Sequence, residues 1–234
     1  MPMLQNCQAV LRERQPLAPQ IWTFTFELLE PQKLEFEAGQ YLFLEIPGGS
    51  RLYSISSSAN NSKQLQIIVD TAPMGEGSKY LLELKRGVKV KFRAPMGNFI
   101  IKTSTKAKLF LATGAGIAPI KSMIHKLLES GFKQPVSLYW GVRESSNLYL
   151  RDLWESLAQT YPNFDYLYCL SREAYQAPHS FSGRIQEKLK TLKDKFTDQE
   201  FYLCGRTSTV EQLKEFLLTE LLIKPENIHY EKFT

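Results

Sequence analysis

The spacing of apolar residues changes character near residue 103, and that change constrains the fold more than any other feature of the chain. Before it, apolar residues recur every second position in short runs closed by turn residues. Ile21-Trp22-Thr23-Phe24-Thr25-Phe26-Glu27-Leu28 alternates in this way, and Tyr41-Leu42-Phe43-Leu44-Glu45-Ile46 runs into Pro47-Gly48-Gly49. Leu65–Asp70 and Val88–Arg93 read as further strands, and a helix is expected over Ser78–Lys85, opened by Gly75-Glu76-Gly77. Several short strands with such punctuation predict an antiparallel β-barrel over residues 1–102. After it, compact apolar runs at 108–112, 136–140, 164–170 and 200–204 alternate with amphipathic stretches, and a last strand is expected at 227–232. The helices are expected at 119–129, 150–160, 185–193 and 208–222. Strand–helix alternation at this spacing predicts an α/β domain over 103–234, with a parallel sheet and right-handed crossovers. Thr103-Ser104-Thr105 reads as the polar linker between the two domains.

The chain has 234 residues, enough for two ordinary domains. No apolar stretch approaches the roughly 20 residues that span a bilayer, so no membrane span is expected. The start, Met1-Pro2-Met3-Leu4-Gln5-Asn6-Cys7, lacks the basic and apolar regions of a signal peptide, which makes a cytoplasmic location the expectation. Three cysteines, far apart and odd in number, argue against a disulfide framework. They also fall short of the roughly four thiolates of an iron–sulfur cluster, so no metal site is expected and any iron–sulfur partner is a separate protein. The net charge of +5 is spread out. The densest basic run, Lys188–Lys195, reads as the solvated face of a helix. No basic stripe interleaved with aromatics points to nucleic acid. Mild positive charge suits anionic small molecules or an acidic redox partner.

Two segments carry the chemistry. Thr113-Gly114-Ala115-Gly116 lies between the first parallel strand and its helix, where open α/β sheets bind dinucleotides. Glycines there let the backbone approach a pyrophosphate, and a helix start adds partial positive charge. A tight strand–helix turn with no ligand is the competing reading, and the third glycine of the common fingerprint is missing. Arg51-Leu52-Tyr53-Ser54 offers a cation, an aromatic face and a hydroxyl to a large planar anion. With the Glu76-Gly77-Ser78 helix start it reads as a flavin grip, with Arg51 and helix N–H groups for phosphate, Tyr53 for the ring face and Ser54 for the reactive ring nitrogen. Cys204-Gly205 closes the fourth parallel strand. Its thiol is either a small buried hydrophobe or, at an exposed site beside Arg206, a neighbour of a nicotinamide ring. Ser171-Arg172, with Glu173 after them, ends the third strand, where the pair either binds a 2′-phosphate or is a cap with a solvated arginine. Arg143 and Arg184 are open to the same two readings.

In this order the motifs are similar to those of the ferredoxin–NADP⁺ reductase superfamily, and the resemblance covers essentially the whole chain. RLYS resembles the family's RxY[ST] flavin motif, and GEGSKYL its phosphate-binding helix start. APMGNF resembles the segment closing the flavin barrel, ATGAGIAP the nucleotide loop, and YLCGRTSTV the CGxxxxV segment. IHYEKFT is similar to the ending of oxygenase-reductase members.

The resemblance implies a flavin-binding barrel followed by an NAD(P)-binding domain, with FAD and NADPH or NADH as cofactors and hydride transfer in the cleft between domains. It implies that Arg51, Glu76, Gly77 and Ser78 hold the flavin pyrophosphate, that Tyr53 packs on the ring, and that Ser54 bonds near its N5. Backbone of Ile68, Val69 and Asp70 lines the pyrimidine edge. Thr113, Gly114, Gly116, Arg143, Ser171, Arg172, Cys204 and Gly205 hold the nucleotide. Phe233 and Glu231 border the flavin, and Ser54, Cys204 and Glu231 are the catalytic candidates. The acceptor is a small acidic iron–sulfur protein or an oxygenase. A reductase that releases free reduced flavin and an electron-transfer subunit of a larger complex are the alternatives. The SRE triplet resembles NADPH-type members and the C-terminus NADH-type ones, which leaves the coenzyme open.

Overall fold

The structure, a computed structural model, describes residues 2–72, 74–192, 196 and 198–233. The chain packs into two compact units, one of Met1–Lys102 with Ala118–Glu129, the other of Thr103–Ile117 with Ser130–Thr234.

The first unit is an antiparallel six-stranded sheet. Its strands are β1 (Gln5–Ala18), β2 (Ile21–Glu30), β3 (Tyr41–Ile46), β4 (Gly49–Ser54), β5 (Gln64–Asp70) and β6 (Lys89–Met96), in the order β4-β3-β6-β1-β2-β5. A bridge between Ile55 and Ile67 draws the two edges together and gives the sheet its barrel form. β6 shows why these residues make strands: Val90, Phe92 and Ala94 are buried, while Lys89, Lys91 and Arg93 between them are exposed. Gly48, at φ +82°, supplies the left-handed turn joining β3 to β4. One helix, α1 (Glu76–Glu83), sits between β5 and β6 and begins two residues before its expected start. The long first strand was not singled out in the sequence. It mixes buried Ala9 and Leu11 with the exposed run Arg12–Gln15, and register shifts at Leu11/Glu13 break its alternation.

The second unit is a parallel sheet of β7 (Ala107–Thr113), β8 (Val136–Val142), β9 (Phe164–Leu170), β10 (Ser180–Ser182), β11 (Gln199–Arg206) and β12 (Ile228–Phe233), ordered β10-β9-β8-β7-β11-β12. Helices α3 (Arg151–Thr160), α4 (Ile185–Lys190) and α5 (Thr207–Thr219) connect the strands. The strand β10 escapes sequence reading because three half-polar residues carry no hydrophobic period. The expected end of the third helix at Lys193, and Lys193–Lys195 of the basic run, lie outside the described residues, as does Thr234.

Helix α2 (Ile117–Glu129) follows β7. Its residues Ala118–Glu129, expected with the parallel sheet, group with the barrel. Lys121 Nζ donates to the Ser56 carbonyl at 3.0 Å, and Ser58 Oγ and Asn60 Nδ2 donate to the Glu129 carboxylate at 2.6 and 2.7 Å. Among the described residues no helix is long and apolar enough to cross a membrane.

A buried ion pair ties the linker to the second sheet. Lys108 is fully buried and donates to Glu200 at 2.8 Å and to Ser104 at 2.6 Å, while Ser104 and Tyr202 donate to the same carboxylate at 2.7 Å each. Burial pushes the Glu200 carboxyl up, but hydrogen bonds from Lys108, Ser104 and Tyr202 outweigh it and hold it below its usual range. Breaking one half of such a pair strands a charge in the core. Glu200→Ala is expected to destabilise this unit by about 3–5 kcal/mol in urea unfolding. A folded-state value below the unfolded one stabilises at neutral pH. That contribution is expected to fade as pH falls below about 4.3, read as a falling urea midpoint.

Candidate cofactor and nucleotide sites

In the barrel, β4 carries Arg51 and Tyr53 on one face and Ser54 on the other. Arg51 donates to the Ser50 carbonyl at 3.0 Å and pairs with the Glu76 carboxylate in the first turn of α1. Gly77 lies against both side chains: a Cβ there would overlap the Tyr53 hydroxyl and crowd Arg51 Cγ at 2.9 Å. The α1 N-cap is Gly75, which has no side chain to cap the helix, so first-turn N–H groups at Glu76, Gly77 and Ser78 lack intrahelical partners. Burial pushes the Tyr53 phenol up to about 12, against the opposing pull of Arg51, so it stays a neutral donor at physiological pH. A guanidinium, a phenolic donor and uncapped helix N–H groups therefore meet at one glycine. That donor set fits a phosphate ester.

Ser54 closes β4 opposite Tyr41 and is 8% exposed. Among the described residues its hydroxyl has no hydrogen-bond partner. Ile68 and Val69 are buried, and Asp70 is half-buried and accepts a bond from the Ala72 N–H at 2.9 Å. β5 pairs with β2 on one side and ends the sheet on the other, which leaves outward backbone groups at 68–70 without a strand partner.

In the second unit the strand order reverses at β7, which lies between β8 and β11. Its carboxyl end runs into a 3₁₀ turn, Gly114–Gly116, with Thr113 as N-cap and Gly114 at φ +53°. A Cβ at Gly116 would overlap the Cys204 carbonyl and lie 2.7 Å from the Gly205 nitrogen, and one at Gly205 would overlap Thr113 Oγ1. The carboxyl ends of β7 and β11 therefore meet backbone to backbone at the crevice where such sheets bind ligands. The structure brings Thr113, Gly114, Gly116, Cys204 and Gly205 together there. Arg143 follows β8, Ser171 and Arg172 follow β9, and Arg184 follows β10, all exposed at the same carboxyl edge. The Ser171 hydroxyl is 3.4 Å from the Val142 carbonyl, and the Arg172 N–H donates to the Arg143 carbonyl at 3.0 Å. Glu173 accepts from Ser145 N and Oγ, in the loop after β8, at 2.6 and 3.0 Å. Cys204 pairs in register with Glu231, and Arg206 with Phe233.

Cys204 does not sit in an exposed site. It is 1% exposed, and burial foremost, then the Glu231 carboxylate, raise its thiol well above the ordinary value against the Gly205 N–H. It is a packing residue with no thiolate character. Two residues of this unit that sequence reading passed over also reach the turn. Trp140 Nε1 and the Tyr149 hydroxyl donate to the Gly114 carbonyl at 3.2 and 3.3 Å. In the sequence Trp140 ends the apolar run at 136–140 and Tyr149 precedes the helix expected at 150–160, with no signal of where their polar ends point.

Residues 8–101 match the model of an oxidoreductase FAD-binding domain, and residues 110–215 that of an oxidoreductase NAD-binding domain. Ferredoxin–NADP reductase B of Sorangium cellulosum is 30% identical over 93% of this chain and 93% of its own length. The chain belongs to the ferredoxin–NADP⁺ reductase superfamily. This superfamily member is also 29% identical to the toluate 1,2-dioxygenase electron transfer component of Pseudomonas putida, over 97% of this chain and 67% of that protein. The solved structure of the Amycolatopsis reductase GcoB superposes with a TM-score of 0.90 at 26% identity, covering all of this chain and 71% of that one. The chain spans 65–67% of the length of the first oxygenase-system relatives that it matches.

The three cysteines are buried and unpaired. The folded protein is expected to react negligibly with a thiol-specific disulfide reagent at pH 8, and three thiols should appear on unfolding. Rapid native labelling of Cys204 would overturn its assignment as a packing residue.

Proposed function

We propose that this superfamily member is an NAD(P)H-dependent flavoprotein reductase that passes electrons to a separate acceptor, an iron–sulfur protein or an oxygenase component. The observation that carries the reading is the meeting of Arg51, Tyr53 and the uncapped start of α1 at Gly77, a grip for the phosphates of a retained FAD. Similarity to reductase and electron-transfer components supports the choice of acceptor. Bound flavin would supply the chemistry, accepting two electrons from the nicotinamide and releasing them one at a time.

The chain's own residues hold and orient. Arg51 neutralises flavin phosphate, moving from Glu76 to share its guanidinium, while Glu76, Gly77 and Ser78 donate N–H groups. Tyr53 covers a ring face, and backbone of Ile68, Val69 and Asp70 meets the pyrimidine edge. Ser54 offers its unpartnered hydroxyl to the N5 position. Gly114 and Gly116 take the nucleotide pyrophosphate beside Thr113 and Gly205. Cys204 supports the nicotinamide by packing, and Glu231 and Phe233 finish that wall. Ser171, Arg172 and Arg143 present a hydroxyl and two cations to a 2′-phosphate, which favours NADPH. Residues 1–102 act as the FAD-binding domain and 103–234 as the NAD(P)-binding domain. Three unpaired cysteines suit a reducing compartment, which supports a cytoplasmic site of action.

Purified protein is expected to be yellow with stoichiometric FAD and to oxidise NADPH with an artificial acceptor without added flavin. Colourless protein whose turnover needs added riboflavin or FMN would instead identify a free-flavin reductase. Ser54→Ala should keep its FAD and lose turnover by roughly ten- to a thousandfold. Arg172→Ala should weaken NADPH by roughly ten- to a hundredfold and leave NADH within a few-fold, as expected for the loss of a charge-assisted contact to phosphate alone.

A further inference from the structure

We infer that Tyr149 and Trp140 are positioning residues of the nucleotide turn: their polar ends set the direction in which the Ala115 N–H points. The premise is that this turn holds the nucleotide pyrophosphate.

The Gly114 carbonyl accepts from backbone and from two side chains. Ile117 N–H closes the 3₁₀ turn, Trp140 Nε1 approaches to 3.2 Å and Tyr149 Oη to 3.3 Å. Trp140 is fully buried and Tyr149 is 4% exposed, so both aromatic donors need an acceptor inside the protein. They reach the same oxygen from different elements, Trp140 from β8 and Tyr149 from the residue before the α3 N-cap. Their rings pack edge to face at 4.6 Å, so each holds the other in place. That N-cap is Leu150 at φ +58°, a left-handed conformation costly for a leucine, and it is the link that brings Tyr149 back toward β8.

A trans peptide is planar, with its C=O and N–H pointing in opposite directions. Drawing the Gly114 oxygen inward onto two buried donors therefore turns the Ala115 N–H outward. Gly114 itself is exposed, with nothing within 4 Å of where a Cβ would stand, so the space on that side is open to a ligand. A turn held by the single Ile117 bond could still rotate this peptide and present a carbonyl, which would repel a pyrophosphate. The two aromatics remove that alternative. Their contribution should appear in nucleotide affinity, because the orientation is needed to bind the anion whether or not electrons move.

Tyr149→Phe deletes one hydroxyl and keeps the edge-to-face packing. In the FAD-loaded protein it is expected to raise the dissociation constant for ADP, measured by calorimetry, roughly three- to tenfold. KM for NADPH should rise by the same factor, with kcat at saturation within about twofold, as for loss of uniform binding. The melting temperature should fall by no more than about 4 °C, with flavin content unchanged. Trp140→Phe carries the same test from the other donor, and the two together should weaken ADP further than either alone. An unchanged ADP affinity in a folded Tyr149→Phe protein, or a fall in kcat and melting temperature at constant affinity, would overturn the positioning role. If the wild-type protein binds neither ADP nor inorganic pyrophosphate, the nucleotide reading of the turn fails first.

Discussion

The second unit depends on a place where two strands have no room for side chains between them. β7 and β11 are neighbours, and their carboxyl ends meet as Gly116 against Cys204-Gly205 and Gly205 against Thr113. A single methyl group at Gly116 would sit inside the Cys204 carbonyl. The contact fixes how closely the turn after β7 approaches the end of β11. It therefore sets the shape of the crevice at this end of the sheet. Cys204 lies on β11, flanked by β7 and β12, and is buried there; an enclosed thiol does not ionise.

The barrel uses a different device with a similar outcome. There the close approach is between a glycine in a helix's first turn and two side chains of a strand, Arg51 and Tyr53. An uncapped helix start is a cost in most proteins, because its N–H groups go unmet. Here the missing cap leaves donors beside a guanidinium and a phenol that burial keeps protonated. In both units an unsatisfied or tightly packed backbone segment, rather than a reactive side chain, is the main asset. That suits a protein of a superfamily whose chemistry belongs to bound cofactors.

The legible part of this structure was periodic. β6 alternates exposed and buried residues from Lys89 to Ala94, and the strands at 41–46 and 164–170 stand where their hydrophobic patterns end. The Arg51–Ser54 and Gly114–Gly116 segments stood out as candidate sites by residue type, the second with a ligand-free strand–helix turn as its competing reading. What escaped had no period or depended on distant partners. Three residues, Ser180–Ser182, form a strand only because Tyr168–Leu170 supplies the pairing. Nothing local to Trp140 or Tyr149 indicates that both side chains end on one carbonyl oxygen. Glu173 looked like part of a ribose-side motif, whereas its carboxylate is taken up by Ser145.

By itself the sequence determined the two-part architecture, the order of nearly all elements and the residue types at each candidate site, because local hydrophobic spacing and turn chemistry act over a few residues. The tertiary structure decided the adjacency of β7 and β11, the burial of Cys204 and the inward direction of the Gly114 carbonyl. Those depend on strand order and on contacts between residues from 26 to 92 positions apart, such as Gly114 with Trp140 and Thr113 with Gly205, which no local pattern encodes.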